Sequence, residues 1–429
     1  MDDSVFVNHE SNVRSYCRSF PAIFVKAEGH ILVDQMGRQY IDLLSGAGTL
    51  NYGHNNPTII RPICDYLESH GIVHSLDLYT AAKAEFISAF QEHILCRRGL
   101  RYKMQFPGPT GTNAVEAALK LARKCTGRSS IVAFTNAFHG MSLGSLAATA
   151  NPAKRAGAGV PMGHVTFMPY DGHLGSSGFD TIDYLESMLL RAGSGLDVPA
   201  AILVETIQGE GGLQVASPSW LCRLQSLCRE LGALLIVDDI QAGCGRSGAF
   251  FSFEGTGIEP DIVCLSKSLS GSGLPMSLVL LRPEIDVWGP GEHNGTFRGN
   301  NLGFVGATAA IEAYWSNGAF EQVIHRRAAM MRDELESIAR ALPAGAVRVK
   351  GRGMMIGLEF TPPGLASSIS EDLFRDGIIA ETCGAHDQVL KLLPPLTIPD
   401  EELRHVMSLI YDAAQRRATS EHRLLVDAG

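Results

Sequence analysis

The sequence predicts an α/β protein, with a large domain on a mainly parallel sheet and a smaller α+β domain. Three observations predict it. Short apolar runs alternate with helical patterns from about Arg101 onwards. Most of these runs are apolar at every position, as parallel strands covered on both faces require. After about Gly299 the alternation gives way to long helices and a separate group of strands.

The strand readings are Ile131–Thr135, His164–Met168, Ala200–Glu205, Leu234–Asp238, Ile262–Ser266 and Ser277–Leu281. A helix over Thr112–Thr126 puts Val115, Leu119 and Ala122 on one stripe. It offers Glu116 and Lys120 as an i,i+4 pair and stops at Gly127. A second helix opens with Ser217 as N-cap and Pro218 at its first position, and ends before Gly232. Helices follow at Leu302–Ser316 and near Glu321–Leu342, then strands at Met354–Phe360 and Val389–Leu393, and a last helix from Asp400. The expected division is residues 1–60 joining the small domain, 61–300 as the large domain and 301–429 as the rest of the small one.

Composition narrows the function classes. Of 429 residues, 45% are apolar, enough for large cores and against wholesale disorder. The net charge of −9 argues against nucleic acid or an anionic membrane as the main partner, while leaving room for a local basic pocket. Nine cysteines are scattered without a C-x-x-C pair, which reads as reduced, mostly buried thiols, with neither a disulfide framework nor a metal site. The start at Met1-Asp2-Asp3 is acidic with no apolar segment behind it, and the longest apolar runs are strand length. A cytoplasmic protein without membrane contact is expected.

Three segments carry chemistry. Pro107-Gly108-Pro109-Thr110-Gly111-Thr112-Asn113 feeds a helix N-terminus, where free backbone N–H groups and hydroxyls suit a phosphate. Asp238 closes the strand Leu234–Asp238, at the sheet edge where open α/β sheets bind ligands. Lys267 follows another strand among small residues, as suits a lysine whose amine approaches a ligand. Phosphate loop, aspartate and lysine together are the three fixed points of pyridoxal 5′-phosphate (PLP): phosphate, pyridine nitrogen and aldehyde. A competing signal, the G-x-G-x-x-G of Gly243-Cys244-Gly245-Arg246-Ser247-Gly248, lacks the helix that a dinucleotide site needs and is set aside.

The runs Gly111–Ala118, Phe138-His139-Gly140, Glu205–Gly212, Asp238–Gly248, Lys267 and Gly295–Asn300 resemble the class III (ω-type) aminotransferases of PLP fold type I. The resemblance implies Gly111 and Thr112 in the phosphate cradle, Phe138 and Ile240 on the two ring faces, and His139 and Glu205 lining the cleft. It implies Asp238 at the pyridine nitrogen, Gln241 near the ring hydroxyl, and Lys267 as the Schiff-base lysine that also moves the proton. Thr296 resembles a residue reaching the phosphate of a neighbouring subunit, which implies a homodimer.

Val13–Pro21, Ala47–Pro57, His74–Asp77, Phe106–Asn113 and Lys154–Gly159 resemble, more narrowly, the L-2,4-diaminobutyrate:2-oxoglutarate aminotransferases, notably those of ectoine biosynthesis. That implies transfer from L-glutamate to L-aspartate 4-semialdehyde. An ornithine- or GABA-like ω-aminotransferase, a fold-related aminomutase and a non-catalytic binding domain are the alternatives. Where many ω-aminotransferases carry Arg in an R-x-x-P-P-L motif, this chain has Lys391 in Lys391-Leu392-Leu393-Pro394-Pro395-Leu396. Lysine brings a point charge in place of a bidentate fork. Glu210 paired with Lys391 is the expected substrate gate. Arg14, Arg155, Arg298 and Lys391 are the candidate carboxylate-binding cations.

Overall fold

The computed structural model describes residues 3–175 and 179–427, so Met1 and Asp2 of the acidic start lie outside the described residues. Its centre is a seven-stranded sheet. From one edge to the other run Lys103–Gln105, Leu278–Leu281, Ile262–Leu265, Leu234–Asp238, Ala201–Val204, Ile131–Phe134 and Val165–Met168. The five strands from Ile262–Leu265 to Val165–Met168 are parallel.

Leu278–Leu281 departs from the expected pattern. It runs antiparallel to both neighbours, although its sequence is as uniformly apolar as theirs. Only a short 3-10 turn, Lys267–Ser270, lies between it and Ile262–Leu265, so no crossover helix carries the chain back for a parallel return.

The continuous apolar runs follow from double cover. Alternate residues Val132, Phe134, Ile202, Val204, Leu235 and Val237 pack into a core with Leu221, Leu224 and Leu227 of the helix Pro218–Leu231. Their neighbours Ile131, Ala133, Ala201, Leu203 and Ile236 pack against Ala114, Val115, Ala118 and Leu121 of the helix Gly111–Thr126. Strand side chains alternate faces, so two covered faces demand apolar residues at every position. Each fully buried Leu, Ile or Val contributes roughly 1.5–3 kcal/mol.

Ser217 accepts a hydrogen bond from the Trp220 N–H, and Gly232 ends its helix in the left-handed region at φ 60°. The Glu116–Lys120 pair does not form. Glu116 Oε1 instead accepts from Ser142 Oγ and from the backbone N–H groups of Gly144 and Ser145, and Lys120 reaches the Glu292 carbonyl. A carboxylate collecting three fixed donors gains more than an exposed helical pair.

Two four-stranded sheets flank this body. One joins Phe24–Glu28, Ile31–Asp34 and Gln39–Asp42 to Ile378–Ile379, so both ends of the chain share it. The other is antiparallel, in the order Val347–Arg352, Met355–Phe360, Val389–Leu392 and Glu381–Cys383. The G-x-G-x-x-G loop begins no helix. Its Arg246 is fully buried, donates through Nε to Asn51 Oδ1 at 3.1 Å, and reaches the carbonyls of Met354 and Pro394. The loop therefore clamps the N-terminal segment to the C-terminal strands.

All nine cysteines are free thiols. Only Cys228, Cys244, Cys264 and Cys383 are buried, and Cys17, Cys64 and Cys96 are exposed, which corrects the expectation that most are buried. No helix among the described residues is long and apolar enough to cross a membrane.

Candidate active site

Five segments bring their chemistry to the carboxyl edge of the central sheet. The helix Gly111–Thr126 starts there, Phe138 and His139 follow Ile131–Phe134, and Glu205 follows Ala201–Val204. Asp238 ends its strand, and Lys267 lies just past Ile262–Leu265. Together with Gly140, Glu210, Ile240 and Gln241 they line a cavity of about 190 Å³.

At one end of this cavity, Thr112 Oγ1 lies 2.6 Å from Ser142 Oγ and also hydrogen-bonds Ser145 Oγ. Asn113 Oδ1 accepts from both the backbone N–H and the hydroxyl of Thr110, which holds the loop against the helix start. The backbone must come close here. A Cβ on Gly140, whose φ is 126°, would meet Thr112 Oγ1 at 2.6 Å, and one on Gly111 would stand 3.0 Å from Ile240 Cδ1.

In the cavity wall, Asp238 Oδ2 lies 2.7 Å from His139 Nδ1, and Asp238 Oδ1 accepts from the Ile240 N–H at 3.2 Å. Burial works against a charged His139, but the hydrogen bond and charge of Asp238, with the charge of Glu205, outweigh it and raise its pKa. Glu205 Oε2 accepts from the Phe138 N–H at 3.1 Å. Burial is the main reason its carboxyl is pushed up to about 8, and the neighbouring Asp238 charge adds to it. At neutral pH the wall thus holds a protonated Glu205 beside Asp238.

Lys267 faces this wall with Nζ donating to the Ala47 carbonyl at 3.0 Å. Its backbone is left-handed at φ 51°, a strained conformation for a residue with a Cβ and one that clusters at functional sites. Burial lowers its pKa, against the raising charge of Glu210. A lysine amine held below its usual range is a better nucleophile and proton carrier at neutral pH.

These residues fit PLP. The lining holds a helix N-terminus with hydroxyls, a carboxylate and an amine in one enclosure. Two buried polar atoms of the lining, His139 Nε2 and Gln241 Oε1, have no hydrogen-bond partner of their own.

A second cavity, of about 830 Å³, adjoins the first, and Phe138 and Glu210 line both. Glu210 Oε1 is 2.8 Å from Lys391 Nζ and accepts from Gln241 Nε2 at 3.1 Å. Lys391 is fully buried and meets a further carboxylate, Glu381, at 2.9 Å. Burial alone would discharge Lys391, yet the two glutamates outweigh it and hold its pKa well up. Burial likewise opposes the charge on Glu210, which Lys391 and Lys267 overcome, holding it down at about 2.

Glu381 and its partner Tyr16, whose hydroxyl donates to Glu381 Oε2 at 3.2 Å, went unread in the sequence as site residues. A signal was present. The run Glu381-Thr382-Cys383 mirrors Val389-Leu390-Lys391 across a loop containing Gly384, and the hairpin register sets Glu381 directly opposite Lys391.

The other candidates lie elsewhere. Arg14 pairs with Glu10, Arg155 donates to the carbonyls of Ala147 and Thr149, and Arg298 pairs with Asp77. None of the three lines either cavity, and the fully buried Lys391 meets the lining through Glu210 and Glu381; Arg18, Lys154 and Arg375 are the cations of the larger cavity. Thr296 stands on the surface, outside both cavities, with its carbonyl 2.7 Å from His74 Nε2.

A mainly parallel sheet with phosphate cradle, aspartate and strained lysine at its carboxyl edge defines a PLP-dependent enzyme of fold type I. Residues 14–414 match the family Aminotransferase class-III, and the chain belongs to that family. It is 56% identical over 424 residues to a diaminobutyrate–2-oxoglutarate transaminase of Bordetella parapertussis, covering 99% of this chain and 97% of the relative. It is 52% identical over 412 residues to the enzyme of that name from Halalkalibacterium halodurans, covering 96% of each. A solved ornithine aminotransferase of Toxoplasma gondii, with PLP at partial occupancy in its active site, superposes with a TM-score of 0.83 at 25% identity. That match covers 98% of this chain and 94% of the other. The protein is an aminotransferase, and its cofactor is PLP.

Proposed function

We propose that the enzyme moves an amino group from L-glutamate to L-aspartate 4-semialdehyde, giving 2-oxoglutarate and L-2,4-diaminobutyrate, and works as a cytoplasmic homodimer. The near full-length identity to diaminobutyrate–2-oxoglutarate transaminases carries this reading. The nine free thiols, three of them exposed, fit a reducing compartment.

The cofactor supplies an electron sink for the carbanion formed at the substrate carbon. The chain's own residues do the rest. The start of Gly111–Thr126, with Thr112, would hold the phosphate. Phe138 and Ile240 would confine the ring, and Gln241 would lie by its hydroxyl. Asp238, steered by His139, would keep the proton on the pyridine nitrogen. Lys267 would hold the aldehyde covalently until the substrate's amine displaces it, and its freed amine would then take a proton from the amino-bearing carbon and return it one position away.

Two substrates of different charge must share one site. Glutamate brings a second carboxylate, for which Lys391 is the buried cation. With the other substrate, Glu210 occupies Lys391. Glu210 is therefore the gate, and its position between the two cavities supports this role. Single-turnover spectroscopy on the holoenzyme, with glutamate and diaminobutyrate as alternative donors, tests it. Glu210→Ala shifts the ratio of the two rates by roughly tenfold, the cost of one misplaced charge contact. An unchanged ratio removes the gate.

The dimer has a surface that supports it. The segment around His74–Tyr79 is tied to the Thr296 turn by the His74 contact and by the Ser75 N–H donating to the Gly299 carbonyl. Together they expose Leu78, Phe297 and a fully exposed Tyr79, an apolar patch beside Thr296. Sedimentation gives a dimer for the wild type, and Tyr79→Glu with Phe297→Glu gives monomers that release PLP more readily. A monomeric wild type with full activity contradicts this.

A further inference from the structure

Lys391 is one buried cation between two carboxylates, Glu381 buried and Glu210 partly open to the cavities. Glu210 lies 2.8 Å from its Nζ and Glu381 2.9 Å. With both glutamates ionised the cluster carries one uncompensated negative charge, and Glu381 is too buried for water to offset it. Burial pushes the Glu381 carboxyl up, as befits the second carboxylate on one ammonium. Tyr16, which donates to Glu381 Oε2, fixes the orientation of that carboxylate, and both residues line the larger cavity. Such a cluster on a cavity wall favours a ligand that brings a cation.

The substrates differ in this respect. A 2,4-diamino acid reacting through its 4-amino group carries a 2-ammonium at its far end. An ω-amino acid of the same length, such as 4-aminobutyrate, lacks it, and glutamate brings a second carboxylate instead. We propose that Glu381, oriented by Tyr16, binds the 2-ammonium of the diamine and is the residue that selects 2,4-diamino acids over ω-amino acids without a 2-amino group. The inference rests on the proposed function and assigns a specificity residue within that site. A site built to pair with a substrate's charged group rejects the analogue lacking it, because the excess negative charge of the cluster then stays uncompensated.

The test compares kcat/KM for L-2,4-diaminobutyrate and 4-aminobutyrate in wild-type, Glu381→Gln and Tyr16→Phe holoenzymes. Each is first checked for cofactor absorbance and melting temperature. In Glu381→Gln the preference for the diamine falls at least tenfold, roughly 30-fold for one lost charge-assisted contact, mainly through the diamine's KM. Tyr16→Phe moves the preference in the same direction by less, and keeps the test decisive if Glu381→Gln fails to fold. If Glu381 merely supports Lys391, both amines lose in equal proportion and the glutamate KM rises, which overturns the proposal. A wild type without preference for the diamine overturns the proposed function itself, and is seen before any variant is measured.

Discussion

Lys267→Ala holoenzyme loses turnover by on the order of 10⁴-fold or more. The lysine is both the covalent carrier of the cofactor and the group that moves the proton. Positioned general acid–base groups alone contribute about 10²–10⁴-fold, and the covalent step adds to that. The fold should survive, because the lysine amine's contact within the chain is a single hydrogen bond to the Ala47 carbonyl. Two measurements check this. Borohydride reduction followed by mass spectrometry shows the cofactor attached to the wild type and not to the variant, and the single-turnover rate with glutamate falls by the stated factor. Attachment at another lysine, or turnover within tenfold of wild type, contradicts the assignment.

Asp238→Asn comes next, with kcat lowered by about 10²–10³-fold, in line with the several kcal/mol lost when one partner of a buried charge pair is neutralised. Asparagine can still accept from the Ile240 N–H, so the strand end keeps its shape and the loss reports on charge. Glu205 provides the contrast. Its carboxyl titrates at about 8, so at pH 7 it is already neutral, and Glu205→Gln costs much less than Asp238→Asn. Above pH 8 the wild-type Glu205 ionises and places a second negative charge beside Asp238. The alkaline fall in kcat should therefore weaken in Glu205→Gln, and rate–pH profiles of both variants check the sign.

Much of this site was legible because its parts end strands. Asp238 and Lys267 each follow an apolar run, and the Gly/Pro-rich segment before Thr112 opens a helix. Local pattern places all three at one edge of a parallel sheet. The parts that stayed illegible depend on long-range packing. Leu278–Leu281 is apolar throughout because it is covered on both faces, and this says nothing of its direction. Glu116 and Lys120 stand at helical spacing, yet tertiary donors outbid the pair. Arg246, in a glycine-rich decoy, turned out to be a buried clamp whose acceptors lie at Asn51, Met354 and Pro394. Glu381 pairs with Lys391 through hairpin register, visible only once both flanks of Gly384 are read as strands.

The central claim is that one site, gated by Glu210 and Lys391, serves glutamate and a 2,4-diamino acid. Single-turnover spectroscopy of the holoenzyme with L-glutamate, L-2,4-diaminobutyrate, L-ornithine and 4-aminobutyrate tests it most directly. The first two should discharge the cofactor absorbance at least tenfold faster than the last two, with glutamate releasing one equivalent of 2-oxoglutarate per site. Comparable rates for all four amines, or no discharge by glutamate, would contradict it.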